Sequence, residues 1–503
     1  MALDVAGAQG LMTGARFRAS LKDGRRVYLN GQQVDVTEHP AFAGLLGELC
    51  RMYDLQSAPE NQEVMTSISA ASGKRVSANY LLPTNGEQLQ QRRANAEKWS
   101  LEMWGLVAAN PEFTASALVG LHDFRNDLAA KNPAWGANAE AYVRYATEND
   151  LFVAHTIQEP QAQRSELYPG QEIRAGSDLE IVEERADGIV VRGARAFATM
   201  APLANELFVF YPSVRKQEDN EKAVQWFALP LDAPGVTMLC NEPRTQHSEA
   251  DGHPLVARYG EFDAIVFFDN VFIPNDRVFL VGDAALAQQG LETLKRWMSW
   301  SGLIRHYYRW WTLIGVTTML AEAQGADLFR NMRDKLGEMV VIPEVFKTAL
   351  GGVEAEAAMT TGGLFRPASS LACAIYATQY NSRILDLCKD IAGGNILLQP
   401  SEADLANGDL RPMLEEFMAS RNLPVAETAR LFRLAWDLMG DGTGVRRDIY
   451  ERWLHGDIVS NKNKMFLQYD NTRTAARIKE MISKPLPVGD APPVWSLMEY
   501  GRN

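Results

Sequence analysis

Apolar residues recur three and four positions apart between residues 42 and 149, and again along most of the chain after residue 278. This spacing predicts amphipathic helices in both regions. The predicted N-terminal helices are Phe42–Tyr53, Glu87–Ala109, Thr114–Phe124 and Ala137–Asn149. The predicted C-terminal helices are Leu291–Gln324, Phe329–Val341, Glu344–Met359, Ser370–Ile391 and Val425–Met439.

Between the two helical regions the apolar positions alternate, which is typical of strands. Residues 178–185 and 189–199 flank an Ala-Asp-Gly turn and predict a β-hairpin. Further strands are predicted at Leu207–Tyr211, Val224–Leu229 and Ala264–Phe268. Helices in two blocks around a β insert favour an α+β fold. The predicted domains are a mainly helical domain (1–149), a β domain (150–277) and a helical domain with an extended tail (278–503).

Composition narrows the functional classes. The chain has 503 residues, 46% of them hydrophobic, and a net charge of -13. This charge disfavours nucleic acid and anionic membranes as partners. Four cysteines without a CxxC pair predict neither a disulfide framework nor a metal site, and favour a reducing cytoplasm. No membrane span or secretion signal is predicted, so we expect a cytoplasmic protein.

Three glycines close together mark residues 428–457, which predict a helix, a turn and a second helix. Gly440, Gly442 and Gly444 permit positive φ angles and a close backbone approach, and Arg446 and Arg447 follow them. This combination suits a phosphate-bearing cofactor. The alternative is a helix end that leads into a helix pair without any ligand.

The same turn resembles the C-terminal signature of the two-component, reduced-FAD-dependent aromatic hydroxylases typified by 4-hydroxyphenylacetate 3-monooxygenase. Matches to that family continue through nearly the whole chain, at residues 17–31, His39-Pro40, 51–54, 149–150, 155–164, 193–199 and 268–274. Taken without the resemblance, residues 17–31 predict only a hairpin around Asp23-Gly24. The resemblance implies an acyl-CoA dehydrogenase-like fold, with an N-terminal α domain, a central β barrel and a C-terminal α-helical bundle. It also implies a homotetramer.

The resemblance assigns roles to individual residues. His155 is implied as the catalytic residue, between flavin and substrate, where an imidazole that titrates near neutrality could move a proton. The implied flavin-binding residues are His155, Thr156, Gln161, Arg164, Thr199, Arg305, Gly442, Thr443, Gly444 and Arg446. The alternatives are a structural histidine, a polar loop, a strand-end cap at Thr199 and a solvated basic stripe formed by Arg305 and Arg309.

The sequence departs from the family where the substrate would bind. The phenylacetate hydroxylases carry Gly-Arg-Ser/Thr-Pro-Asp-Tyr, but residues 108–113 here place Ala109 at the arginine and Phe113 at the tyrosine. Chlorophenol-hydroxylating relatives place a histidine near the start of the arginine helix, and residues 297–303 lack it. We expect Ala109, Phe113 and Tyr211 to line the pocket for a larger or less polar aromatic substrate than 4-hydroxyphenylacetate.

The implied activity is that of an oxygenase component. A separate NAD(P)H-dependent flavin reductase would deliver FADH2, O2 would add at the flavin C4a carbon, and a phenol-like ring would be hydroxylated. Two alternatives remain, namely an acyl-CoA dehydrogenase-like flavin oxidase or dehydrogenase and a non-catalytic flavin-binding scaffold. A third relative, 4-hydroxybutyryl-CoA dehydratase, needs cluster-binding cysteines that this chain does not provide.

Overall fold

The structure is a computed structural model that describes residues 3, 8, 10–156, 158, 179–210, 221–241 and 253–483. The chain divides into two compact units, Met1–Gly456 and Asp457–Asn503. The three predicted domains therefore stay a prediction. No helix in these ranges is long and apolar enough to cross a membrane.

The described part of the N-terminal region contains seven α-helices: α1 Gly14–Ser20, α2 Pro40–Ser57, α3 Gln62–Met65, α4 Gly86–Glu102, α5 Pro111–Asp123, α6 Arg125–Lys131 and α7 Pro133–Asn149. Helices α5 and α7 each begin with an asparagine cap followed by proline. Asn110 and Asn132 accept hydrogen bonds from backbone N–H groups, and Pro111 and Pro133 have no N–H group that would need an acceptor. The predicted helix Glu87–Ala109 is wrong at its C-terminus, since α4 ends at Glu102.

Within the described ranges, the strands form two main sheets and two small hairpins. They are β1 Val27–Leu29, β2 Gln32–Val34, β3 Thr66–Ile68, β4 Arg75–Ser77, β5 Val153–Thr156, β6 Glu180–Arg185, β7 Gly188–Arg195, β8 Glu206–Val209, β9 Gln225–Pro230, β10 Val236–Cys240, β11 Ala264–Pro274, β12 Val278–Val281, β13 Ala358–Met359 and β14 Phe365–Arg366. One sheet has the order β2-β1-β10-β11-β7-β6, and the other has the order β12-β9-β8-β5.

The predicted hairpin of β6 and β7 is confirmed, with antiparallel pairing across the Asp187-Gly188 turn. The hairpin predicted around Asp23-Gly24 is wrong, because β1 and β2 turn at Asn30 and Gly31, whose φ angles are 49° and 78°. Positive φ at both positions matches the twist of a tight hairpin. The sequence also did not predict eight short strands of the described residues, namely β2, β3, β4, β5, β10, β12, β13 and β14. A closed barrel stays a prediction.

The C-terminal helices of the first unit are α9 Ala284–Gln324, α10 Arg330–Ala355, α11 Leu371–Ala392, α12 Glu402–Ala406, α13 Arg411–Phe417, α14 Val425–Met439 and α15 Gly442–Trp453; the short α8 Val256–Tyr259 precedes them. The second unit contains α16 Ile458–Gln468 and α17 Thr472–Ser483. Two predicted helices, Phe329–Val341 and Glu344–Met359, are wrong because α10 continues through Pro343 and ends at Ala355. Pro343 removes one backbone hydrogen bond from α10, and the burial of Met339, Ile342 and Phe346 stabilises the helix enough to offset that loss.

Helix α9 is the long element against which the other layers pack. It begins where Asp283 accepts a hydrogen bond from the Leu286 backbone N–H at 2.9 Å, and it ends at Gly325. Helix α5 lies so close to α9 that a Cβ atom on Gly120 would stand 2.7 Å from the Leu294 Cα atom. This contact fixes α5, which carries Phe113 and begins just after Ala109, against α9.

Candidate functional site

His155 lies on β5 and faces two aromatic rings. Its ring centroid is 5.8 Å from that of Phe113 and 5.9 Å from that of Phe210, and the Phe210 ring is nearly parallel to it. The Nδ1 atom is buried and has no hydrogen-bond partner among the residues that the structure describes. We call His155, Phe113 and Phe210 the His155 pocket. It encloses one polar side chain within apolar walls.

The charge state expected for His155 is wrong. Burial lowers the pKa of His155 to about 4, well below the ordinary value of 6.5, because the apolar surroundings penalise the imidazolium form. The imidazole is therefore neutral near pH 7. It can donate or accept a hydrogen bond there, but it does not titrate near neutrality as the sequence suggested.

Ala109 and Phe113 are almost completely buried, with 1% and 3% of their surface exposed. Asn110 accepts a hydrogen bond from the Phe113 backbone N–H at 3.0 Å, which fixes the first turn of α5. The backbone N–H groups of Ala108 and Ala109 donate to one oxygen of Glu261, at 2.7 and 2.9 Å. Neither side chain brings a polar group to the pocket, as the sequence predicted.

Glu261 is the first of three acidic residues that the sequence analysis missed. Its buried carboxylate accepts hydrogen bonds from Arg446 at 3.0 Å and from Arg447. Burial alone would raise the pKa of Glu261, but Arg447 and Arg446 outweigh it and hold the pKa below its ordinary value. Glu261 is therefore charged at neutral pH.

Asp263 extends the same set of contacts. It accepts from Arg446 at 2.7 Å and from the Thr199 hydroxyl at 2.6 Å. Glu261 and Asp263 are two apart in the extended segment before β11, so both side chains lie on one face. That alternation of acidic residues is the sequence signal for this site, although spacing alone does not show which arginines the two carboxylates meet.

Glu451, on α15, is the third acidic residue. Arg305 donates to it at 2.7 Å and to the Gly105 carbonyl at 2.9 Å, and the Nδ1 atom of His306 lies 2.9 Å from the same carboxylate. Arg447 approaches Glu451 within 3.9 Å. We call Glu261, Asp263, Glu451, Arg305, Arg446 and Arg447 the carboxylate–arginine network. Arg305 is thus buried and paired rather than part of a solvated stripe.

The glycine turn between α14 and α15 differs from its prediction. None of Gly440, Gly442 and Gly444 has a positive φ angle. They permit close packing instead, since a Cβ atom would stand 2.6 Å from the Trp436 ring at Gly440 and 2.7 Å from the Leu438 carbonyl at Gly444. Asp441 caps α15 by accepting the Gly442 N–H at 2.6 Å.

A small, partly open cleft lies beside this turn. Its lining includes Gly442, Thr443 and Arg446 from α15, together with Tyr259 and Phe262. A helix N-terminus with nearby arginine and aromatic side chains suits an anionic cofactor with a flat ring system. The residues present therefore fit part of a flavin dinucleotide.

The structure brings some of the predicted site residues together. Thr199, Arg446 and Ala109 are linked through Asp263 and Glu261, and Phe113 contacts His155. Thr156, next to His155, donates its hydroxyl to the Ala196 carbonyl at 2.7 Å, which ties β5 to the end of β7. Gln161, Arg164 and Tyr211 lie outside the described residues. The individual roles of all these residues stay predictions.

Comparison with known proteins identifies the family. The N-terminal model of the 4-hydroxyphenylacetate 3-hydroxylase family matches residues 13–280, and the C-terminal model matches residues 290–483. The oxygenase component of 4-hydroxyphenylacetate 3-monooxygenase from Thermus thermophilus is 31% identical, with 95% of this chain and 98% of that protein covered. The corresponding protein from a Geobacillus strain is 30% identical, with 93% and 96% covered.

A solved structure gives the same result. The crystal structure of such an oxygenase component, complexed with FAD and 4-hydroxyphenylacetate, superposes with a TM-score of 0.87 at 30% identity, with 94% of this chain and 98% of that chain covered. The chain therefore belongs to the 4-hydroxyphenylacetate 3-hydroxylase family.

Proposed function

We propose that this protein is the oxygenase component of a two-component monooxygenase, which uses reduced FAD and dioxygen to hydroxylate a phenol-like aromatic substrate. The observation that carries the proposal is the neutral His155, enclosed by Phe113 and Phe210, in a chain of this family. The relatives are named as oxygenase components, which supports a separate flavin reductase as partner.

FAD would lie along the cleft beside α15. Gly442, Thr443, Gly444 and Arg446 would meet its phosphates, and Thr156, next to His155, and Thr199 would contact its ring system. Glu261 and Asp263 neutralise the charge of Arg446. The phosphates would therefore be attracted mainly by the partial positive charge at the N-terminus of α15. Arg305, Gln161 and Arg164 keep the roles that the family resemblance implies.

When bound, reduced FAD supplies the two electrons that activate dioxygen, so that one oxygen atom enters the ring and the other leaves as water. The chain's own residues hold the ring and exclude water. His155, neutral near pH 7, accepts a hydrogen bond from the phenol hydroxyl without stranding a charge. Phe113 and Phe210 form dry walls, which favour hydroxylation over loss of the oxidant to solvent.

The substrate differs from 4-hydroxyphenylacetate. A carboxylate that entered beside Ala109 and Phe113 would find no arginine and no phenolic hydroxyl at these two positions, and burying an unpaired charge is costly. The two buried apolar side chains support an aromatic substrate that is larger or less polar. Tyr211 is proposed as a further wall of the same pocket.

The remaining predictions from the family resemblance are proposed alongside the activity. They are three domains at 1–149, 150–277 and 278–503, an acyl-CoA dehydrogenase-like arrangement with closure of the sheets into a barrel, a homotetramer and a cytoplasmic location. Helix α15 exposes Val445, Ile449 and Trp453 at intervals of four residues. Such an apolar face supports the proposed assembly, because subunit contact would cover it.

The test uses the full-length protein and FAD reduced in the absence of oxygen. The loaded protein is mixed with oxygen and a panel of phenols, and hydroxylated product and hydrogen peroxide are both quantified. We expect product with at least one phenol. His155→Leu should still bind FAD while product formation falls by about 100-fold and hydrogen peroxide rises.

His122→Leu is the matched control, because His122 is another histidine whose pKa burial lowers to about 4 and it lies on α5 away from the pocket. It should leave product formation unchanged. Hydrogen peroxide as the sole product of the wild type with every phenol would instead support the scaffold interpretation.

A further inference from the structure

Phe197 has a backbone conformation that phenylalanine rarely adopts. Its φ angle is 55°, in the left-handed region that favours glycine, and 56% of its surface is exposed. Met200, three residues later, also has a positive φ angle, of 68°. Bulky residues in this region are strained, and such strain persists only where the surrounding contacts impose it. Two strained residues on either side of Thr199 therefore mark this segment as a candidate binding site.

Hydrogen bonds on both sides hold the backbone of Phe197 in place. Before it, the Ala196 carbonyl accepts a hydrogen bond from the Thr156 hydroxyl at 2.7 Å. After it, the Ala198 N–H donates to the Ala264 carbonyl at 3.0 Å. Ala196 and Ala198 are both buried, whereas the phenylalanine ring between them is exposed. The neighbouring contacts thus impose the strained conformation and keep the ring out of the core.

Phe197 lies between the His155 pocket and the cleft beside α15. On one side, Thr156 binds the residue before Phe197 and directly follows His155 on β5. On the other side, the Met200 N–H donates to the Phe262 carbonyl at 2.8 Å, and Phe262 lines the cleft. A flavin dinucleotide with its phosphates in the cleft and its reactive ring at the His155 pocket would therefore pass the exposed phenylalanine.

We propose that the Phe197 ring stacks against the isoalloxazine ring of FAD, and that its strained backbone fixes the ring in position before the cofactor binds. The proposal rests on the proposed function and concerns a residue to which the family resemblance assigns no role. A fixed, exposed phenylalanine suits a flat and largely apolar ring system, because stacking buries both faces and little side-chain freedom is lost on binding. The affinity gained in this way offsets the strain.

The first test measures the FAD affinity of full-length variants by calorimetry. Phe197→Ala and Phe197→Gly both remove the ring and should weaken FAD binding about 10-fold, as expected for the loss of one stacked aromatic side chain. Phe197→Tyr keeps an aromatic ring and should bind FAD as the wild type does. The control is Phe417→Ala, which removes a phenylalanine that is 74% exposed at the end of α13 and should leave the affinity unchanged.

The second test separates the strain from the ring. Phe197→Ala and Phe197→Gly lack the same ring, but only glycine adopts a positive φ angle without strain. Phe197→Gly should therefore unfold at a temperature about 1–2 °C higher than Phe197→Ala. The order should be reversed at Phe417, where the helix favours alanine over glycine. A less stable Phe197→Gly would show that the backbone is not strained in solution and would overturn the fixed position of the ring.

The outcomes distinguish this proposal from the proposed function. Equal FAD affinity in Phe197→Ala and the wild type would overturn the stacking contact while leaving the monooxygenase proposal in place. A loss of affinity together with a changed subunit count, measured by light scattering, would also overturn it, because Phe197 would then form a contact between copies of this chain. If the wild type binds no FAD, both proposals fail.

Discussion

The His155 pocket and the carboxylate–arginine network share the segment at the start of α5, but they handle charge in opposite ways. Phe113 contacts the single histidine of the pocket, and burial keeps that histidine neutral. Ala108 and Ala109, a few residues earlier, donate to Glu261, which stays charged beside two arginines. A buried group is neutral where it stands alone and charged where partners surround it.

The difference assigns separate tasks to the two regions. The network is a rigid frame whose paired charges hold α15, the segment before β11 and the start of α5 together across long stretches of sequence. The pocket has apolar walls around an imidazole whose Nδ1 atom has no hydrogen-bond partner among the described residues. We therefore expect substitutions in the network to affect stability most, and substitutions in the pocket to affect binding most.

Glu261→Gln should have the largest effect on stability. It leaves Arg446 and Arg447 without their shared carboxylate, and breaking a buried pair in this way costs about 3–5 kcal/mol in the free energy of unfolding. Urea unfolding measures the loss. Glu38→Gln removes a carboxylate from an exposed pair with Lys22 and should change little.

The same carboxylate predicts a pH dependence. Since the folded pKa of Glu261 lies below its ordinary value of 4.5, its contribution is complete above pH 4.5 and is lost as the pH falls through the folded pKa. Glu261→Gln should lack this part of the acid sensitivity. Equal urea midpoints for Glu261→Gln and Glu38→Gln would show that the network is not a frame.

Sequence patterns located most of the long elements but not how they begin and end. The helices predicted from Thr114 and Ala137 begin earlier, at Pro111 and Pro133, each directly after an asparagine cap. Two helices were predicted on either side of Pro343, but buried residues around this proline belong to one continuous α10. In both cases the error concerns where a proline lies within a helix, and the spacing of apolar residues alone does not show this.

The family resemblance named residues of the site but not their charge partners. Arg446 and Glu261 are 185 residues apart, so no local pattern could pair them. The arginines were expected to meet phosphate, and the structure shows them bound to carboxylates. The neutral state of His155 could not be predicted either, because it depends on burial by Phe113 and Phe210 from other parts of the chain.

Thr443→Arg tests whether the cleft beside α15 receives the cofactor. The longer side chain would fill the space at the helix N-terminus, and overpacking of this kind should weaken FAD affinity by about 10-fold. Quenching of FAD fluorescence gives the affinity. The control is Thr472→Arg, at the exposed start of α17. Unaltered affinity in Thr443→Arg would place the cofactor elsewhere.

The neutral state of His155 has a smaller, measurable consequence for stability. Its pKa is about 4 in the folded protein against an ordinary value of 6.5, so the unfolded chain gains the proton first as the pH falls below 6.5. The folded state should lose about 1 kcal/mol from this group between pH 7 and pH 5.5. His155→Leu should lose correspondingly less over this range than the wild type. Phe113→Leu, which keeps the imidazole, is the control, and identical losses in His155→Leu and the wild type would refute the shift.

Gly302→Ala should have the smallest effect on stability and tests the pocket from the side of α9. Gly315 is an exposed glycine on the same helix with no atom within 4 Å of a Cβ position, so Gly315→Ala should stabilise the protein by about 0.5–1 kcal/mol through helix propensity alone. At Gly302 the new methyl group would stand 3.2 Å from Phe113, so part of this gain should be cancelled because the ring must shift. Only Gly302→Ala should then weaken phenol binding, because the shifted ring narrows the space beside His155. If both variants gained the same stability and bound phenols equally well, the Phe113 ring would not pack against Gly302 in solution.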